Sequence, residues 1–136
     1  QEDVRRLAET ADRWYRQAEK LNPMDDTLRV RRATVLDLLG RFDEAENLYL
    51  HGLEMRPHSR FFLLTYGNYL WRKGDLEGAR VQLEKVLQAP GFPPRPGEGN
   101  DPGEEARAML AKVKEQIAKS GGKRQSPASR FNPYED

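Results

Sequence analysis

The sequence predicts an all-α fold made of antiparallel helix-turn-helix units, because two periodicities run through residues 1–88. Apolar side chains recur at steps of three and four, which is the spacing of one face of an α-helix. Small and apolar residues also recur at a fixed distance of 34 positions, which is typical of repeated helical pairs.

The 34-residue spacing aligns three stretches of the chain. It pairs Ala33 with Gly67, Leu36 with Leu70, Gly40 with Gly74, Ala45 with Ala79, and, one step earlier, Ala11 with Ala45, Tyr15 with Tyr49, Ala18 with Gly52 and Pro23 with Pro57. Two antiparallel helices approach closely only where side chains are small. The alanine and glycine pairs therefore mark the expected helix contacts.

Five helices are expected in this part of the chain. The first carries the apolar residues Val4, Leu7, Ala8, Ala11, Trp14, Tyr15, Ala18 and Leu21. The other four are expected at about 26–39, 43–55, 60–73 and 75–88, from their helical apolar spacing. The expected core residues on these helices are Leu48, Tyr49, Leu53, Leu63, Tyr66, Leu70, Leu83 and Val86.

Glycine and proline mark the expected helix ends. Gly40 and Gly74 follow apolar-periodic stretches and favour the left-handed conformation that ends a helix. We expect an aspartate in each following segment, Asp43 or Asp75, to cap the next helix. Proline, at positions 23 and 57, is expected to stop one helix and begin the connection to the next.

The C-terminal third differs in composition. Residues 89–103 are rich in proline and glycine and predict a loop. A narrow apolar stripe on 104–119 predicts a capping helix: Ala106, Met109, Leu110, Val113 and Ile117. The expected organisation is therefore one domain over 1–119, with a half repeat at 1–25, repeats at 26–59 and 60–93, and a flexible tail at 120–136.

The run from Tyr66 to Ala79 and the turn from Gly40 to Ala45 resemble the tetratricopeptide repeat family. The resemblance covers about residues 1–88. It implies a short right-handed superhelix with a C-terminal capping helix, in which the first helix of each pair lines a concave groove. The implied role is a scaffold that binds a peptide or a partner protein there. Glycine inside a helix, at positions 52 and 78, is a departure that costs about 1 kcal/mol against alanine.

The resemblance places a peptide-binding site on two groove helices. Its residues are Arg31, Thr34, Phe61, Leu64, Thr65, Asn68, Trp71 and Arg72, with Thr27, Val30 and Asp37 on the same face as Arg31. The Asn68 amide would bond a ligand backbone, both arginines would pair with a carboxylate, and Trp71 and Phe61 would pack on an apolar side chain. The alternatives are that Asn68 only decorates its helix and that the arginines are solvated.

Composition argues against other classes of partner. Lys and Arg number 23 against 22 Asp and Glu, so the net charge of +1 provides no broad field. The one basic stripe, Arg29, Arg31 and Arg32 with Arg41, is diluted by aspartates, and no nucleic-acid partner is expected. No apolar run approaches the roughly 20 residues of a membrane span, so no direct membrane insertion of this segment is expected.

A catalytic or metal site needs a cluster of activated groups. The chain has no cysteine, and its two histidines, His51 and His58, are separated by a helix end. The acidic pairs are read as helix caps and solvated faces. We therefore expect no catalytic residue, no metal and no cofactor, with catalysis that depends on His51 as the alternative.

Self-association is the second hypothesis. Two and a half repeats barely reach the three or so that a stable stack needs, so the end near residues 1–22 is expected to pack on another repeat or another copy. The tail segment Phe131–Asp136, through Phe131, Tyr134 and its carboxylates, is expected to dock near Arg31 and Arg72.

A looser resemblance concerns the parent protein. Trp14-Tyr15 and Leu21-Asn22-Pro23 are similar to segments in the C-terminal repeat tails of bacterial O-antigen ligase-like membrane proteins. That resemblance implies an architectural role in a larger envelope protein and a periplasmic location; a cytoplasmic location is the alternative. The first residue is Gln1, so a fragment of a longer protein is expected.

Overall fold

The computed structural model describes residues 2–91, 99 and 101–120. Their helices are α1 (Glu2–Leu21), α2 (Asp26–Leu38), α3 (Phe42–Met55), α4 (Arg60–Lys73), α5 (Leu76–Gln88) and α6 (Pro102–Lys119). No strand occurs in these residues. The predicted all-α fold is confirmed, and the predicted bounds of α2 to α6 differ from the observed ones by at most two residues.

The described residues form two compact units, one containing α1 to α3 and the other α4 to α6. In the first unit α2 packs against both α1 and α3. In the second unit α5 packs against both α4 and α6, and α6 also contacts α4. Because short turns join α2 to α3 and α4 to α5, these neighbours are the predicted antiparallel pairs.

Local sequence determines the helix ends. Gly40 and Gly74 have φ of 79° and 95°, the left-handed conformation that the sequence predicts. Asp75 caps α5 through a hydrogen bond from the Gly78 amide. The prediction for Asp43 is wrong: α3 begins at Phe42 without a side-chain cap, and Asp43 lies in its first turn, where its charge favours the helix N-terminus. The side chains of Asp25, Ser59 and Asp101 cap α2, α4 and α6.

Gly78 has a local role in the Asp75 cap. A Cβ atom at position 78 would lie 2.5 Å from Oδ2 of Asp75, the carboxylate that accepts the Gly78 amide at 3.0 Å. Glycine therefore leaves room for the cap. The cost of glycine that helix propensity predicts at position 78 does not take into account this short distance between a Cβ and the Asp75 carboxylate.

The core follows the repeat pairs. Ala33, Ala45 and Ala79 are completely buried, and a Cβ at Gly67 would lie 3.0 Å from Cδ2 of Leu83, so α4 and α5 approach closely there. Six predicted core residues are buried: Tyr49, Leu63, Tyr66, Leu70, Leu83 and Val86. Leu48 and Leu53 are only half-buried.

Candidate protein-binding surface

Four of the predicted site residues lie along one side of α4. Phe61, Thr65, Asn68 and Trp71 follow one another at steps of four, three and three, and each is only partly covered. The same helix buries its opposite side, including Leu63 and Leu70, in the second unit's core. Because its opposite side is buried in this core, α4 is fixed in position, and so are the partly exposed residues that it carries.

Trp71 is held by a residue that the sequence did not indicate. Its indole Nε1–H donates a hydrogen bond to Oε1 of Gln116 on α6, at 2.7 Å. The two residues are separated by α5 and the Pro/Gly-rich segment. A capping helix could be predicted from the sequence, but no periodicity in the sequence links Gln116 to Trp71.

The polar groups on this side of α4 differ in their availability. The Thr65 hydroxyl donates within its own helix, to the carbonyl oxygens of Phe61 at 3.0 Å and Phe62 at 3.1 Å. Within the described residues the half-buried Asn68 amide makes no hydrogen bond. Asn68 therefore offers both a donor and an acceptor on the same side of α4 as Phe61 and Trp71.

Two other predicted site residues of α4 are buried. Leu64 is 7% exposed and Arg72 is 6% exposed. Their predicted contact with a partner stays a prediction.

In the first unit, α2 carries the remaining predicted site residues. Arg31 is exposed, while the half-buried Thr34 hydroxyl lies 3.0 Å from the Tyr49 hydroxyl. The expectation that Val30 faces a groove is wrong, because Val30 is completely buried, whereas Thr27 and Asp37 are half-buried.

The basic stripe of the first unit is largely neutralised by ion pairs. Arg32 pairs with Glu19 at 2.6 Å, Arg41 with Glu44 at 2.6 Å, and Arg29 with Asp26 at 3.3 Å. Paired guanidinium groups are poor anchors for a phosphate backbone.

A buried carboxylate lies at the centre of this ion-pair network. Asp12 on α1 is reached by Arg16 at 3.1 Å, Arg41 at 3.5 Å and Arg32 at 3.7 Å. The arginines come from α1, α2 and the turn after α2. Asp12 therefore ties α1 to the α2–α3 pair.

The part of the chain that the structure describes contains no cluster of three or more His, Cys, Asp or Glu suited to a metal ion. His51 and His58 are both exposed. None of its helices combines the length and apolar character that a bilayer crossing requires. The predicted docking of Phe131 and Tyr134, like the rest of 121–136, lies outside the described residues.

The comparison with known protein families gives a match at α2 and α3. Residues 27–59, which span both helices, match the family model described as "Tetratricopeptide repeat". The chain carries a tetratricopeptide repeat. Tetratricopeptide repeats are typically non-catalytic modules for protein–protein interaction. A search of curated proteins found no match to the chain, and the resemblance to O-antigen ligase-like tails has no support.

Proposed function

We propose that this tetratricopeptide-repeat chain is a protein-interaction module whose α4 surface, formed by Phe61, Asn68 and Trp71, binds an extended segment of a partner protein. The observation that carries the proposal is the half-buried Asn68 amide, which makes no hydrogen bond in the described residues and lies between two partly exposed aromatic side chains. An extended peptide offers the complementary backbone N–H and C=O groups.

The aromatic side chains provide the apolar part of the binding energy in this proposal. Trp71 and Phe61 lie on either side of Asn68 along α4, so a peptide bonded to the amide would lay its side chains against both rings. The hydrogen bond to Gln116 keeps the Trp71 indole oriented before binding. A side chain that is already oriented loses less entropy when the partner arrives.

The proposal extends to the other residues predicted for the groove. On α2, Arg31 and Thr34 would contact the partner, and on α4, Leu64, Thr65 and Arg72 would do so, each arginine by pairing with a carboxylate. We further propose that the chain is not an enzyme and that its partner is a protein, not a nucleic acid. The ion pairing of Arg29, Arg32 and Arg41 supports the second point.

The experiment is a selection from a displayed library of random peptides, followed by titration of a selected peptide into ¹⁵N-labelled protein. We expect the Asn68 side-chain amide and the Trp71 indole N–H to show the largest shifts. Asn68→Ala should weaken binding roughly tenfold or more, since a buried backbone hydrogen bond contributes about 1.5 kcal/mol.

The matched control is Asn47→Ala, which removes an exposed asparagine from α3. It should bind as the unmodified chain does, and circular dichroism should show equal helicity for both variants. Selected peptides that shift other residues, or that bind Asn68→Ala normally, would contradict the proposed surface.

A further inference from the structure

Helix α1 has one covered side and one exposed apolar side. Ala8 and Asp12 are buried, and Glu19 is ion-paired with Arg32, so this side faces α2. The apolar side next to it, here called the α1 seam, consists of the exposed Val4, Leu7, Trp14 and Leu21 and the half-buried Ala11 and Ala18. Its members alternate at steps of three and four, which is the a/d spacing of a coiled-coil helix.

The α1 seam leaves large side chains open to solvent. Leu7 is 71% exposed, Trp14 is 60% exposed and Leu21 is 82% exposed. With Val4 and the neighbouring Met24, the seam presents on the order of 500 Å² of apolar surface, a size at which patches mark interaction sites. The Trp14 ring packs edge-on against Tyr15, with ring centroids 5.0 Å apart.

We infer that the α1 seam pairs in antiparallel orientation with the α1 seam of a second copy of this chain. In the proposed register the residue numbers of two facing side chains sum to 25. Each facing pair then joins an a position of one helix (Val4, Ala11 or Ala18) to a d position of the other (Leu7, Trp14 or Leu21). The layers are Val4 with the partner's Leu21, Leu7 with the partner's Ala18, and Ala11 with the partner's Trp14. Every alanine faces a large side chain, which fills the interface evenly. A parallel pair would set Trp14 against the partner's Trp14 and Ala11 against the partner's Ala11.

The seam also adjoins a recess that suits the proposed occupant. An open cleft of about 400 Å³ is lined by Trp14, Gln17, Ala18, Leu21, Asn22, Asp25 and Leu28. In the antiparallel register, Leu7 and Val4 of the second copy arrive beside Ala18 and Leu21. Two seams together bury about 1,000 Å², near the lower bound of a specific interface, so the dimer is reversible.

Sedimentation equilibrium of the 136-residue chain over a wide concentration range tests the pairing. We expect a monomer–dimer equilibrium that Leu7→Glu shifts to monomer by at least tenfold in dissociation constant. The matched control is Val81→Glu, which places the same charge on an exposed valine of α5 and should leave the equilibrium unchanged. A strictly monomeric chain, or a Leu7→Glu variant that dimerises normally, overturns the inference.

Spin labels test the orientation, and the absence of native cysteine makes single labels specific. In an antiparallel pair the distance between labels at Lys20→Cys exceeds that at Thr10→Cys by roughly 10–15 Å, given the 1.5 Å rise per residue. Equal, short distances at both positions would indicate a parallel pair and overturn the antiparallel register. Neither test involves the α4 surface, so failure of one proposal is distinguishable from failure of the other.

Discussion

The indole nitrogen of Trp71 and the side-chain oxygen of Gln116 are joined by a 2.7 Å hydrogen bond between α4 and α6. Through this contact α6 does more than cover the apolar surface of α5. It also sets the orientation of an aromatic side chain on the proposed binding surface.

The Trp71–Gln116 contact predicts the effect of Gln116→Leu. Removing the acceptor should lower the free energy of unfolding by about 1 kcal/mol and shift the Trp71 indole resonance, because a partly buried donor loses its partner. Urea unfolding and NMR provide the measurements. Glu115→Ala, next to it but exposed, should change stability by less than about 0.5 kcal/mol. Equal effects of the two substitutions would show that the hydrogen bond contributes nothing.

The close approach of α4 and α5 predicts an unfavourable Gly67→Ala. A methyl group there would lie 3.0 Å from Cδ2 of the fully buried Leu83. The resulting displacement should outweigh the helix propensity of alanine and destabilise the chain by about 1 kcal/mol net. In a Leu83→Ala background the contact is gone, and Gly67→Ala should instead stabilise. Thermal unfolding of all four chains checks this, and the same sign in both backgrounds would refute it.

The buried carboxylate of Asp12 predicts a loss on substitution with asparagine. Asp12→Asn keeps the shape but removes the charge that Arg16, Arg32 and Arg41 contact, so unfolding should become easier by about 1–2 kcal/mol. Glu2→Gln is the control, because Glu2 pairs with Arg6 only on the surface, at 3.9 Å, and should change little. Urea midpoints that move equally would argue against a structural role for Asp12.

An arginine from α4 lies beside the start of α6. Arg60 lies 3.6 Å from Asp101, and a Cβ at Gly103 would overlap its guanidinium group. Gly103→Ala should therefore displace Arg60 and destabilise α6 by about 1 kcal/mol. In an Arg60→Ala background the same substitution should be neutral or favourable. Amide hydrogen exchange of α6 is the measurement, and an equal loss in both backgrounds would exclude this coupling.

Helix positions in this chain follow from local properties of the sequence. Gly40 and Gly74 adopt the positive φ that ends a helix, and the apolar spacing locates α2 to α6 within two residues. The small residues that the 34-residue spacing aligned, such as Ala33 and Ala45, are buried where helices meet. The Asp43 prediction failed because helix α3 starts one residue earlier than the spacing suggested, which places that carboxylate inside the first turn.

By itself, then, the sequence determined the helical fold, the turn positions and the small residues at the helix contacts, because these depend on backbone conformation and neighbours a few positions away. Only the tertiary structure decided how completely each apolar side chain is covered and which distant residues it meets. It buried Val30 and Leu64, joined Gln116 to Trp71, and left Leu7 and Leu21 of α1 exposed. The physical reason is that coverage depends on helices packed from distant parts of the chain, whereas an apolar stripe looks the same in the sequence whether or not another helix covers it.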